Sequence, residues 1–123
     1  MTDTTKPLTH AELWQFTGSE RWHRHGLVRH ILFTDGAKYL ADRAGVYWLL
    51  DEIAFAQRAR PRVAAEAFQM WKLRVRPDKT ALLTCDDGNG DVVWRKTLEY
   101  TDFPLEKITL YYTDRTILLP SEY

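Results

Sequence analysis

Apolar residues in this chain recur with two different periods, and the change falls at about Pro61. In "VYWLLDEIAFAQRAR", Val46, Leu49, Leu50, Ile53 and Ala56 or Gln57 follow the i, i+3, i+4, i+7 spacing of a helix, with Trp48 and Phe55 widening the stripe. Arg58 and Arg60 suit the negative C-terminal end of that helix, and Pro61 stops it. "TDGAKYLADRAG" predicts the helix before it, with Thr34 or Asp35 as cap, Tyr39, Leu40 and Ala44 as inner face, and Gly45 as terminator. A shorter helix over 10–17 follows from the capping-box pair Thr9 and Glu12, the staple pair Leu8 and Leu13, and a stop at Gly18.

Beyond Pro61 the period becomes two. In "FQMWKLRVR", Trp71, Leu73 and Val75 alternate with Lys72, Arg74 and Arg76, which is the pattern of a strand with one buried face. "PDK" predicts a turn, "TALLTC" a second strand, and "DDGNGD" a hairpin connection rich in residues that tolerate positive φ. "VVWRKTLEY" returns with Trp94 and Leu98 on one side and Arg95, Thr97 and Glu99 on the other. "KITLYYTDRTILLP" reads as two short strands about Thr113–Arg115. Helices first and strands second predict an α+β domain: N-terminal helices packed on one face of a C-terminal antiparallel meander of four to five strands. Residues 1–8 read as a flexible tail and 9–123 as one domain.

One segment resists this scheme. "SERWHRHGLVRHILF" is too short in each piece for periodicity to separate strand from helix. It also carries His23, His25 and His30, which raises metal-binding or proton-transfer chemistry. Two histidines two apart share a face only on an extended chain, and neither a Cys pair nor a His-Glu-x-x-His helix accompanies them. His23, His25 and His30 are therefore weak metal candidates, and surface or packing roles are preferred. Asp51 and Glu52 are adjacent on a helix and point about 100° apart, which does not make a carboxyl dyad. A structural ion pair is the preferred reading of both. Cys85 ends an apolar strand and precedes two aspartates, a setting that favours a buried, inert thiol. The spacing of "DDGNGD" matches neither a calcium loop nor a phosphate loop.

Composition narrows the field further. At 123 residues and 45% hydrophobic content the chain suits one self-sufficient core. Seventeen Lys plus Arg balance seventeen Asp plus Glu, so no overall field draws it to nucleic acid or to an anionic membrane. A single cysteine fits a reducing compartment, and "MTDTTKPLTH" carries no apolar signal core, so a cytoplasmic location is expected. No cofactor is expected. Strand alternation does place Tyr111, Lys72, Arg74, Arg95 and Thr97 away from the helices, and Arg and Tyr dominate binding hot spots.

"FTGSERWHRH", "FTDGAKYLADRAGVYWLLDEIA", "FQMWKL", "DDGNG", "TDFPL" and "LLPSEY" together resemble a family of small bacterial proteins of unknown function, often encoded on plasmids and other mobile elements. The resemblance runs from about Leu13 to Tyr123 and implies a single cytosolic domain with no assigned activity. The expectation is a non-enzymatic interaction module with a protein partner, using Arg21, Trp22, Arg24, Arg74, Arg95 and Tyr111. A homodimer is compatible with it, and the resemblance allows an inhibitor of a host defence system. The alternatives are a nucleic-acid-binding accessory protein using the same arginines and, third, a small metal-dependent or acid–base hydrolase.

Overall fold

The computed structural model describes residues 8–123. Elements follow in the order α1 (His10–Leu13), β1 (Trp22–Arg24), β2 (Leu32–Thr34), α2 (Asp35–Ala44), α3 (Tyr47–Ala59), α4 (Pro61–Ala64), β3 (Phe68–Val75), β4 (Ala81–Asp86), β5 (Val92–Leu98), β6 (Lys107–Thr113), β7 (Thr116–Leu118) and a 3₁₀ turn, Pro120–Glu122. Of the tail expected over residues 1–8, all but Leu8 lies outside the described residues, and Leu8 is buried.

The strands form one seven-stranded sheet in the order β1-β2-β7-β6-β3-β4-β5. The α+β class holds, but the expected four- to five-stranded antiparallel meander behind N-terminal helices does not. Two strands precede the main helices, and β2 runs parallel to β7 while the other pairs are antiparallel. The physical reason lies in length. β1, β2 and β7 have three residues each, too few to show alternation, and their place in the sheet is set by partners far away in sequence.

The local rules explain most boundaries. Thr9 and Glu12 make the reciprocal capping box, yet α1 closes at Leu13, short of the expected 10–17, and Phe16 turns onto the Tyr39 ring at 5.1 Å. Thr34 caps α2 by accepting from the Ala37 amide, and Gly45 ends it in the left-handed region at φ 67°. Pro61 stops α3 and starts α4, where a missing N–H costs nothing. Asp114 and Arg115, at φ 51° and 58°, make the tight two-residue connection that matches the twist of β6 and β7.

Alternation then sorts the sheet into two faces. Trp71, Leu73, Leu83, Cys85, Leu110 and Ile117 are buried on the inner face, against the Leu49, Leu50 and Ile53 side of α3. Trp94 joins that face and lies 5.4 Å from Trp71, with the Arg60 guanidinium 5.2 Å from its ring centroid. Gln69 is the polar exception at 0% exposed. Its amide donates to the Val63 carbonyl at 2.7 Å and exchanges bonds with Gln57, while its carbonyl accepts from the Trp71 indole at 3.0 Å.

Candidate functional site

The outer face carries the chemistry. Register places Lys107 directly across from Arg74, Thr109 across from Lys72, and Thr84 across from both Lys72 and Arg95. Lys72, Arg74, Arg95 and Lys107 thus share one uncovered surface over four strands, interleaved with Thr84, Thr97 and Thr109. Lys72 reaches the buried carboxylate of Asp86 at 3.6 Å. Arg74, Arg95 and Lys107 have no salt-bridge partner among the described residues. In a chain of zero net charge, this is a local segregation of cations.

Aromatic rings border that surface. Tyr111 lies 5.0 Å from Phe68 and 5.6 Å from Tyr123, and Tyr123 is 75% exposed. Tyr123 arrives there because the chain leaves the sheet after β7. Glu122 then anchors the turn: its carboxylate accepts from the Thr34 hydroxyl at 2.6 Å, the Leu119 amide at 2.9 Å and the Gly36 amide at 3.1 Å. Gly36 leaves room for this approach, since a Cβ there would lie 2.5 Å from a Glu122 oxygen and 2.7 Å from Leu119 and would push both side chains aside.

The expected interaction residues divide across this turn. Arg74, Arg95 and Tyr111 lie together on the β6-β3-β4-β5 part of the outer face. Trp22 and Arg24 lie on the far edge strand, β1, paired with Thr34 and Leu32, and Arg21 precedes them. Trp22 is 57% exposed, and the Arg24 guanidinium donates to the Arg29 carbonyl at 2.5 Å. These two groups are not one site. Lys72 lies on this face as strand alternation places it, whereas Lys107 and Phe68 were missed. The strand parity that singled out Arg74 also selects Lys72 and Phe68, whereas Lys107 and Tyr123 depend on register and on the path of the closing turn.

The three histidines do not converge. His25 is 4% exposed, and its Nδ1 accepts from the Leu27 amide at 3.2 Å and the Val28 amide at 2.9 Å. The other ring nitrogen, Nε2, therefore carries the proton and donates to Asp51 at 2.8 Å. Both nitrogens are committed, which leaves none to accept a substrate proton. His23 bonds Asp35 through Nε2 at 3.0 Å and stacks on Phe33. Asp35 also accepts from the Glu20 and Arg21 amides, each at 3.3 Å, and the His23 hydrogen bond, followed by these amides, holds its carboxyl below the usual value. Ser19 completes this knot by accepting from the Asp35 amide and donating to the Arg21 carbonyl. The knot ties β1 to the start of α2. His30 is exposed. Among the described residues, no three His, Cys, Asp or Glu side chains gather in a group able to hold a metal ion.

The remaining candidates have structural duties. Glu52 pairs with Lys96 at 2.5 Å, joining α3 to β5. Cys85 is buried, and desolvation, then the neighbouring carboxylates, push its thiol up to about 12, away from the thiolate that reactivity needs. In the "DDGNGD" loop the carboxylates turn onto their own backbone, Asp86 accepting from Gly88 at 2.7 Å and Asp87 from Asn89 at 2.8 Å. Gly88, at φ 89°, also passes beneath Phe68, where a Cβ would meet the ring at 2.9 Å.

A small α+β protein with one helix-covered sheet face and one open cationic face is what the geometry defines. A family model described as "Family of unknown function (DUF6876)" matches residues 7–123, and the chain belongs to that family. No curated protein and no solved structure matches it. No helix among the described residues is long and apolar enough to cross a membrane.

Proposed function

We propose that this protein is a non-enzymatic docking module whose open sheet face receives an acidic surface of a partner protein. The observation that carries the reading is the set of cations on that face, Arg74, Arg95 and Lys107, that have no salt-bridge partner among the described residues. Their aromatic border, Tyr111 and Tyr123, supplies the residue types that anchor protein contacts. Strands hold the backbone of Arg74, Arg95, Lys107 and Tyr111, so binding has only side chains to order at those positions. Regulation of a host protein by a mobile-element product, with inhibition of a defence system as one form, belongs to this same reading and draws on the resemblance.

Affinity capture by a tagged chain, in its native host, tests the proposal. One partner should be retained at moderate salt by the wild type and by an Arg58→Glu control on α3. It should be lost with Arg95→Glu or Tyr111→Ala. Retention unchanged by either substitution would end the docking reading. Single-stranded nucleic acid on the same face is the second reading, favoured by rings standing beside cations. A gel-shift series in rising salt separates the two, because a nucleic-acid complex should form at low salt and dissolve steeply as salt rises.

A further inference from the structure

Where the C-terminal turn leaves the sheet, it opens a cleft. β7 ends at Leu118, opposite Tyr111, so β6 has no β7 partner from Lys107 to Leu110. Pro120 follows two residues later and has no N–H to continue a ladder. The chain turns away, and α1 comes alongside it, with Ser121 Oγ donating to the Leu13 carbonyl at 3.4 Å. The gap left between α1, this turn and β3-β6 is a cavity of about 380 Å³, within the range of about 300–1,000 Å³ typical of small-ligand sites.

Its walls are chemically one-sided. Lys72, Arg74 and Lys107 line it, Thr109 and Ser121 add hydroxyls, and none of its lining residues is acidic. Arg74 and Lys107 are a directly opposed cross-strand pair of like charge, an arrangement that destabilises a sheet. No carboxylate relieves it among the described residues. Opposed cations facing a cavity become favourable once a dianion lies between them, and a phosphate monoester supplies two charges where a carboxylate supplies one. On the α1 side, the Trp14 indole is 68% exposed beside the apolar wall of Leu13 and Ile108. It offers a flat face on which a ring can stack.

We propose that this cleft binds a nucleoside monophosphate, its phosphate on Arg74 and Lys107 and its base against Trp14. A phosphate carrying a single phenyl ring is small for about 380 Å³, whereas a sugar between phosphate and base adds the volume to fill it. The site is formed within one chain and requires no protein partner, so it stands apart from the docking reading even though Arg74 and Lys107 serve both.

Isothermal titration of the full-length protein with adenosine 5′-monophosphate, in buffer free of phosphate and sulfate, tests it. Saturable one-to-one binding is expected, with adenosine and inorganic phosphate each weaker by about tenfold or more, a difference of about 1.4 kcal/mol. Arg74→Ala and Lys107→Ala should each weaken the nucleotide by about tenfold. Trp14→Ala should weaken the nucleotide and leave inorganic phosphate unchanged. Arg95→Ala, on the same face but outside the cleft, should change neither. A 5′-phosphorylated trinucleotide identifies the source: tighter binding points to the end of a nucleic-acid strand, and weaker binding to the free nucleotide. Thermal melts confirm that each variant is folded. Absence of saturable nucleotide binding, or an equal loss with Arg95→Ala, would overturn the proposal. Either result would leave partner capture through Arg95 and Tyr111 unaffected.

Discussion

The inner and outer faces of the sheet are built from alternate residues of the same strands, and they treat polar groups in opposite ways. On the inner face, Gln69 is enclosed and every hydrogen-bonding atom of its amide finds a partner in Gln57, Val63, Glu66 or Trp71. On the outer face, farther along the same strand β3, Lys72 has only a long contact to Asp86, and Arg74 has no ion pair among the described residues. A polar group sealed from water must be satisfied within the fold, because leaving it unmade costs about 1–3 kcal/mol. A solvated cation carries no such demand. Its position is therefore informative about what lies outside the protein, while that of Gln69 is informative about folding.

Substitutions ranked by expected effect test that division. Trp71→Ala removes the largest fully buried side chain and should cost about 3–5 kcal/mol, read as a fall in the urea midpoint. Gln69→Leu strands the Trp71 indole N–H and the Gln57 amide, for a loss of about 2–3 kcal/mol in the same measurement. Glu122→Ala removes the carboxylate that serves Thr34, Gly36 and Leu119, and should cost about 1–2 kcal/mol, the scale of a lost helix cap.

A pH effect should be smaller and signed. The Tyr39 hydroxyl, then Arg43, holds the Glu12 carboxyl below its ordinary value of 4.5. A depressed carboxylate stabilises the fold above that ordinary value and loses its contribution as pH falls through the folded one. Melting temperature should accordingly hold from pH 7 to 5 and decline below about pH 4.5, less steeply in Tyr39→Phe. Last, Arg95→Ala should move stability by no more than about 0.5 kcal/mol, since the side chain is exposed and has no ion pair among the described residues. A large destabilisation there would erase the contrast between the faces.

How much of this was legible follows from the range over which each signal acts. Trp71, Leu73 and Val75 against Lys72, Arg74 and Arg76 is a nearest-neighbour pattern, so the long strands and the sidedness of Arg74, Arg95 and Tyr111 could be read directly. The caps at Thr9, Thr34 and Gly45 act within four residues and were equally plain. The parallel pairing of Leu32 with Thr116 has no local signature, and without it the sheet lost β1, β2 and its mixed character. The same blindness hid the opposed pair Arg74 and Lys107, the reach of Glu122 to Gly36, and the cleft they border. His25 stands two residues from His23, a spacing that brings two ring nitrogens to one face of an extended segment. Only the fold showed that Leu27, Val28 and Asp51 occupy both of its nitrogens.

The parallel contact between β2 and β7 has a consequence for synthesis. A ribosome delivers residues in order, at about 5–20 per second, and β2 emerges early. Its neighbour β7 and the Glu122 carboxylate that secures Thr34 come from the last stretch of the matched region. Until Thr116–Glu122 has left the exit tunnel, the nascent chain cannot close its sheet.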